Sequence, residues 1–210
     1  MVSLRDMIDD ERAGIASIAA YLDGLDGDAR LREIEPLDRN HQRTLYEKAA
    51  HAAPIDVDHF VGDAGPREQV IHDGVNTLPL PARLRRFQKR FCRPDGRHPV
   101  DARLFGYNEG PTRRLIGPGF FVATPTAERP QWSARGGVVV DYFQIPDGAV
   151  ADGWPRVVAN DWRLQRFVYH QTRDFMRRVS RHVSIGAAFK RERPLDHYFV
   201  LSRRVPGPAI

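Results

Sequence analysis

The stretch "HVSIGAAFKRERPLDHYFVLSR", His182 to Arg203, decides how the second half of the chain is read. Val183, Ile185, Ala187 and Phe189 fall on one face at period two, with His182, Ser184 and Gly186 on the other. A strand presents that alternation and a helix does not. "DHYFVLSR" is again rich in aromatic and β-branched residues, and "KRERPLD" between the two runs predicts a hairpin connection.

The same signal extends back toward the middle of the chain. "GFFVAT" (119–124) and "GGVVVDYFQIP" (136–146) are apolar runs bounded by Gly, Pro or Asp. From about residue 103 the pattern predicts five to seven short strands in an antiparallel meander that curls into a small barrel or half-barrel. Segment 161–180 reads two ways. Leu164, Val168, Gln171, Phe175 and Val179 line up on a helix after an Asn160 cap, whereas "RFVYH" and "DFMRRVS" serve as strands; two strands are favoured. The closing "VSIGAAF…DHYFVLSRR" resembles the last strands of small lipocalin-like barrels, over roughly the final third of the chain. The resemblance implies a fold and no particular function.

The first third has a different character. Residues 3–24 read as one helix capped by Ser3, followed by helices over 28–33 and 37–52. "GPREQVIHDGVNTLPLP" then breaks regular structure. The expected organisation is therefore α+β: an acidic helical segment over residues 1–78 leading into a basic barrel-like domain over 79–210. Residues 1–78 hold 8 Lys+Arg against 16 Asp+Glu, and the remainder holds 24 against 11, so the two segments are of opposite sign and suited to pack together.

Composition excludes several classes. No run approaches the ~20 apolar residues of a membrane span. "MVSLRDMIDDERAG" is charged where a signal peptide is apolar, so a soluble cytoplasmic chain is expected. Cys92 is the single cysteine, which rules out an internal disulfide and a thiolate-rich zinc site.

Motifs with chemistry are scarce. "GYNEGPTRRLIGPGF" (106–120) looks phosphate-binding, but Gly106 and Gly110 have three residues between them rather than four, and Pro111 stands where a P-loop has lysine. "GPGFFV" opens a β-rich run, not the helix of a dinucleotide fingerprint. The glycines supply sharp bends instead, with at least one of Gly117 and Gly119 expected at positive φ. "PARLRRFQKRFCRP" reads as a short basic amphipathic helix, with Leu84, Phe87 and Phe91 on one side. There is no H-E-x-x-H or G-x-S-x-G motif. The pairs His170/Asp174 (helical spacing) and His182/His197 (adjacent strands) are weak metal candidates, and no metal or cofactor is assigned.

Asp141 within "VVVDYF" needs a partner if buried, and "TRDFMRR" offers Arg173, Arg177 and Arg178. The expected function is binding of an apolar or aromatic small molecule by the barrel, with an accessory or catalytic role open. Tyr107, Asn108, Arg113, Asp141, Tyr142, Arg173, Arg177 and His182 are the candidate ligand-binding residues. The alternative is a nucleic-acid or anionic-surface module using residues 83–93 and the arginines of 163–181.

Overall fold

A computed structural model describes residues 2–95, 102–162 and 164–204; the tail "VPGPAI" and Arg163 lie outside the described residues. The N-terminal helices are α1 (Leu4–Asp9), α2 (Ile15–Asp23), α3 (Gly27–Ile34), α4 (Arg39–Lys48) and the short α5 (Asp58–Val61). Ser3 and Asp6 form a reciprocal capping box on α1, while Asp26 and Asp38 cap α3 and α4 through their side chains. The single helix expected over 3–24 is two. Asp10 accepts the Arg12 amide at 2.9 Å, a local turn that competes with helix continuation, and Gly14 then starts α2 in extended backbone.

The strands are β1 (Val70–Asn76), β2 (Arg86–Cys92), β3 (Leu104–Glu109), β4 (Phe121–Pro125), β5 (Val138–Asp141), β6 (Thr172–Arg178), β7 (Val183–Lys190) and β8 (Arg193–Arg203). Each pairs antiparallel with the next, and β1 pairs with β8 to close the barrel. Single-turn helices sit in the connections: α6 (Ala82–Arg85), α7 (Arg113–Ile116), α8 (Pro130–Ser133) and α9 (Gln165–Val168).

Three expectations are corrected here. "GPREQVIHDGVNTLPLP" contains β1, because strand pairing on both sides overrides the glycines that punctuate it. The basic segment 83–93 is one turn of helix and then β2, not an amphipathic helix. Segment 161–180 holds one strand, β6, after the helical turn α9 rather than two strands.

Closure gives every strand an inside and an outside, and both are buried over much of the sheet. The inner face of the barrel carries Phe91, Leu104, Phe121, Ala123, Val138, Val140, Met176, Phe199 and Leu201, and this end is sealed by Ile55, Val57, Phe60 and Val61. Outside, Leu4, Ile8, Ile18, Leu22, Ile34 and Leu45 of the helices pack on Val183, Ile185, Ala187 and Val200. The apolar stripe of "HVSIGAAF" therefore faces the helices, and its small residues face inward. A Cβ at Gly186 would lie 2.3 Å from the Phe199 ring. Opposite charges meet across the helix–barrel contact, with Arg43 clasping Asp196 through both carboxylate oxygens at 2.7–2.8 Å and Arg86 meeting Glu35 at 2.8 Å. No helix of the described residues is long and apolar enough to cross a membrane.

Candidate ligand-binding site

An eight-stranded barrel encloses a space that side chains fill or that holds one small ligand. This barrel is filled at one end and leaves a cavity at the other. Alternation along β2 sends Phe87, Lys89 and Phe91 inward and Arg86, Gln88 and Arg90 to the other face. Phe91 belongs to the filled end. Lys89 marks the floor of an open half, and Phe87 stands in the wall above it.

Lys89 is 1 % exposed and its three donor directions are all used. Its Nζ reaches Asn108 Oδ1 at 3.1 Å, the Tyr142 hydroxyl at 2.5 Å and Asp174 Oδ2 at 3.1 Å. Tyr142 in turn donates to Asp174 Oδ2 at 3.2 Å and accepts from Asn108 Nδ2 at 3.1 Å. Asn108 is fixed by donation to the Gly119 carbonyl, so β2, β3, β6 and the end of β5 converge on one polar cluster. The Phe199 and Phe121 rings lie 4.7 and 4.9 Å from the ammonium, and Tyr169 stacks on Tyr142 at 5.2 Å.

Burial dominates the electrostatics. It pushes the Lys89 amine below its ordinary value, against the attraction of Asp174. It pushes the Asp174 carboxyl above the usual carboxylate range, against Lys89 and Tyr142. The Tyr142 and Tyr169 phenols are also raised by burial and by Asp174. Both members of the ion pair are thus moved toward their neutral forms.

Above the cluster lies a cavity of about 490 Å³. Its walls include Leu78, Leu80, Leu84, Phe87, Ile116, Phe167, Val168, Tyr198 and Phe199, and the Glu109–Arg113 ion pair, 2.6 Å, stands at its edge. Phe167 and Leu195 at the rim are 70 % and 36 % exposed, which makes the entrance itself apolar. The size and the ratio of apolar wall to convergent polar floor suit a small-molecule site.

The loop 106–120 shapes one side of this mouth. Gly117 and Gly119 both have positive φ, at 117° and 54°. A Cβ on Gly117 would lie 2.4 Å from the Gln165 side chain, and one on Gly119 would lie 2.5 Å from the Tyr169 ring. The Gly119 amide donates to Gln165 Oε1 at 2.9 Å, so the loop and α9 are held together over the cavity.

Of the residues named from sequence, Asn108, Arg113 and Tyr142 line the cavity. Tyr107 alternates to the outer face, against Phe120 and Trp154. Asp141 is buried on the outer face too, paired with Arg173 at 3.1 Å, and Arg173 also stacks over Trp132 and Phe143. Arg177 donates to the carbonyls of Tyr46, Ala134 and Arg135, fastening the helical segment to the barrel. His182 sits beside Arg203 at the filled end, away from the cavity and from His197, which lines it. His170 and Asp174 do not share a helical face, since His170 follows α9 and Asp174 points into the barrel from β6.

The cluster's two charged members, Lys89 and Asp174, are absent from the set chosen by sequence. The signal for Lys89 was present: Phe87, Lys89 and Phe91 alternate at period two, and Lys89 is one of only three lysines beside 29 arginines. Cys92 packs outside the barrel with Phe105, Val122 and Ala151, where burial pushes its thiol up to about 11. No protein-family model, curated protein or solved structure matches this chain.

Proposed function

We propose that this protein binds a small, largely apolar or aromatic molecule in the mouth of its barrel, with a polar group of that molecule set against Lys89, Tyr142 and Asp174. The observation that carries this reading is the 490 Å³ cavity with apolar walls and a buried polar floor. Unlike the filled end, this half of the barrel leaves space beside a charged cluster whose hydrogen bonds are already satisfied, so the floor orients a ligand without needing one to fold. Asn108 and Arg113 serve as further polar contacts.

The nucleic-acid alternative has weaker support. The basic residues of 83–93 do not form one face: Lys89 is inside the barrel, Arg86 meets Glu35, Arg90 meets Gln69 and Gln88, and Arg93 meets Asp58. Titration with an environment-sensitive apolar dye tests the first reading. Saturable binding at one site is expected, abolished by Ala188→Phe, which fills the cavity from β7. Undiminished dye binding in a folded Ala188→Phe variant refutes it.

A further inference from the structure

We propose that Lys89 forms an imine with aldehydes or ketones admitted to the barrel cavity, the Asp174 carboxyl carrying the protons. The inference rests on the ligand-binding reading above and names the ligand class. Three observations lead to it. Lys89 lines the cavity with its partners Asn108, Tyr142 and Asp174 although its side chain is only 2 % exposed, so a ligand meets it with little competing water. Asp174 Oδ2 lies 3.1 Å from that nitrogen, and the Tyr142 hydroxyl touches both groups. Beyond the cluster, aromatic rings and apolar walls surround the amine, a setting that suits a planar conjugated carbonyl compound.

Desolvation of this kind is how a lysine becomes a nucleophile near neutral pH. When a proton passes from Lys89 to Asp174, the amine gains its lone pair and 3.1 Å fits an O–H donating to it. The lone pair attacks the carbonyl carbon, forming the C–N bond, and the C=O π pair moves to oxygen. Asp174 protonates that oxygen and then takes a proton from the new ammonium, leaving a neutral carbinolamine. It returns the proton to the hydroxyl, the C–O bond breaks, and water leaves. The product is a protonated imine beside the Asp174 carboxylate, so the pocket ends with the same net charge as the Lys89–Asp174 pair. Nothing is oxidised or reduced, and no co-reactant is needed.

The chain is suited to a direct test, because Lys48, Lys89 and Lys190 are its only lysines. Lys190 also lines the cavity, at the exposed rim, and so is the internal competitor. The full-length protein is incubated with 2-naphthaldehyde and sodium cyanoborohydride at neutral pH, which reduces any imine to a stable secondary amine. Intact mass and peptide mapping then locate the label, and 2-naphthylmethanol, which cannot form an imine, reports simple binding. Among the lysines one adduct is expected, on Lys89, formed roughly tenfold or more faster than on Lys48 or Lys190, since a desolvated lysine is the stronger nucleophile near neutral pH. It persists in Lys190→Arg and is lost in Lys89→Arg; mapping of the wild-type chain decides the matter if the latter does not fold. Binding of the alcohol without label on Lys89, or label spread evenly over the three lysines, overturns the imine and leaves the binding reading standing. Failure of both probes overturns both.

Discussion

Replacing Lys89 with methionine removes one half of a buried ion pair and leaves the other half in place. At 3.1 Å and an effective dielectric constant of roughly 20, the Lys89–Asp174 attraction is worth about 5 kcal/mol, against which both groups have given up hydration. Methionine keeps the volume and the contacts with Phe121 and Phe199, so the loss is chiefly electrostatic. The expected cost is about 3–5 kcal/mol when Asp174 is ionised. It is smaller in acid. Without the cation only the Tyr142 hydroxyl still opposes burial, so the Asp174 carboxyl titrates above its unfolded value, and the folded state then binds more protons than the unfolded one. Stability contributed by such a group is full below the unfolded pKa and is lost as pH rises through the folded pKa, at up to about 1.4 kcal/mol per pH unit. Denaturant unfolding at pH 5 and pH 8 should therefore show Lys89→Met further below wild type at pH 8. A double change, Lys89→Met with Asp174→Leu, should recover most of the loss, because an apolar pair replaces an ionic one without an orphaned charge. A single variant that costs under about 1 kcal/mol with no pH dependence, or a double variant no better than the single, refutes the placement of a buried ion pair on the cavity floor.

Other consequences are open to measurement. His72 is fully buried with Nε2 on the Phe60 carbonyl, and burial lowers its pKa from 6.5 to about 4. The unfolded state then binds the extra proton, so this group's contribution to stability is full above about pH 6.5 and falls by about 3 kcal/mol as pH drops to 4; denaturation at pH 7, 5.5 and 4 should show the slope, and His72→Phe should remove that share of it, leaving the share set by the buried His59. Gly119→Ala forces a side chain into φ 54° and 2.5 Å from the Tyr169 ring, and should cost about 2 kcal/mol or more, whereas Gly148→Ala, with its nearest atom at 3.7 Å, should stay within about 0.5 kcal/mol. Calorimetry on the two variants checks the contrast. Random-sequence DNA should bind weakly at ~150 mM salt and release steeply as salt rises. Tight, sequence-selective binding lost in Arg86→Ala with Arg90→Ala would restore the nucleic-acid reading.

How much of this was legible in the chain depends on what decides each element locally. The α+β layout, the helical start and the hairpin of β7 and β8 follow from periodicity and caps that act within a few residues. β1 and β2 are different. Their strand character comes from pairing with each other, with β8 and with β3, contacts up to ~130 residues away in sequence, and no local window carries that information. Reading 83–93 as a helix put Lys89 among solvent-facing arginines. Reading it as a strand puts the same residue between two inward phenylalanines.

That one change of period also explains the mixed placement of the candidate site residues. Tyr107 and Asn108 are neighbours, as are Asp141 and Tyr142, and Arg173 and Asp174. In each pair one side chain lines the barrel and the other faces outward. A closed barrel buries both faces where helices and loops cover it, so apolar flanks do not say which member of a pair points in. The tie is broken by volume. Interior positions beside the cluster are small or absent side chains, Gly106, Gly186 and Ala188, opposite large ones such as Phe121 and Phe199. A strand written large–small across its partners is an inside face, and on that criterion Asn108, Tyr142 and Asp174 share the interior with Lys89, while Asp141 and Arg173 form the outer ion pair that holds β5 to β6.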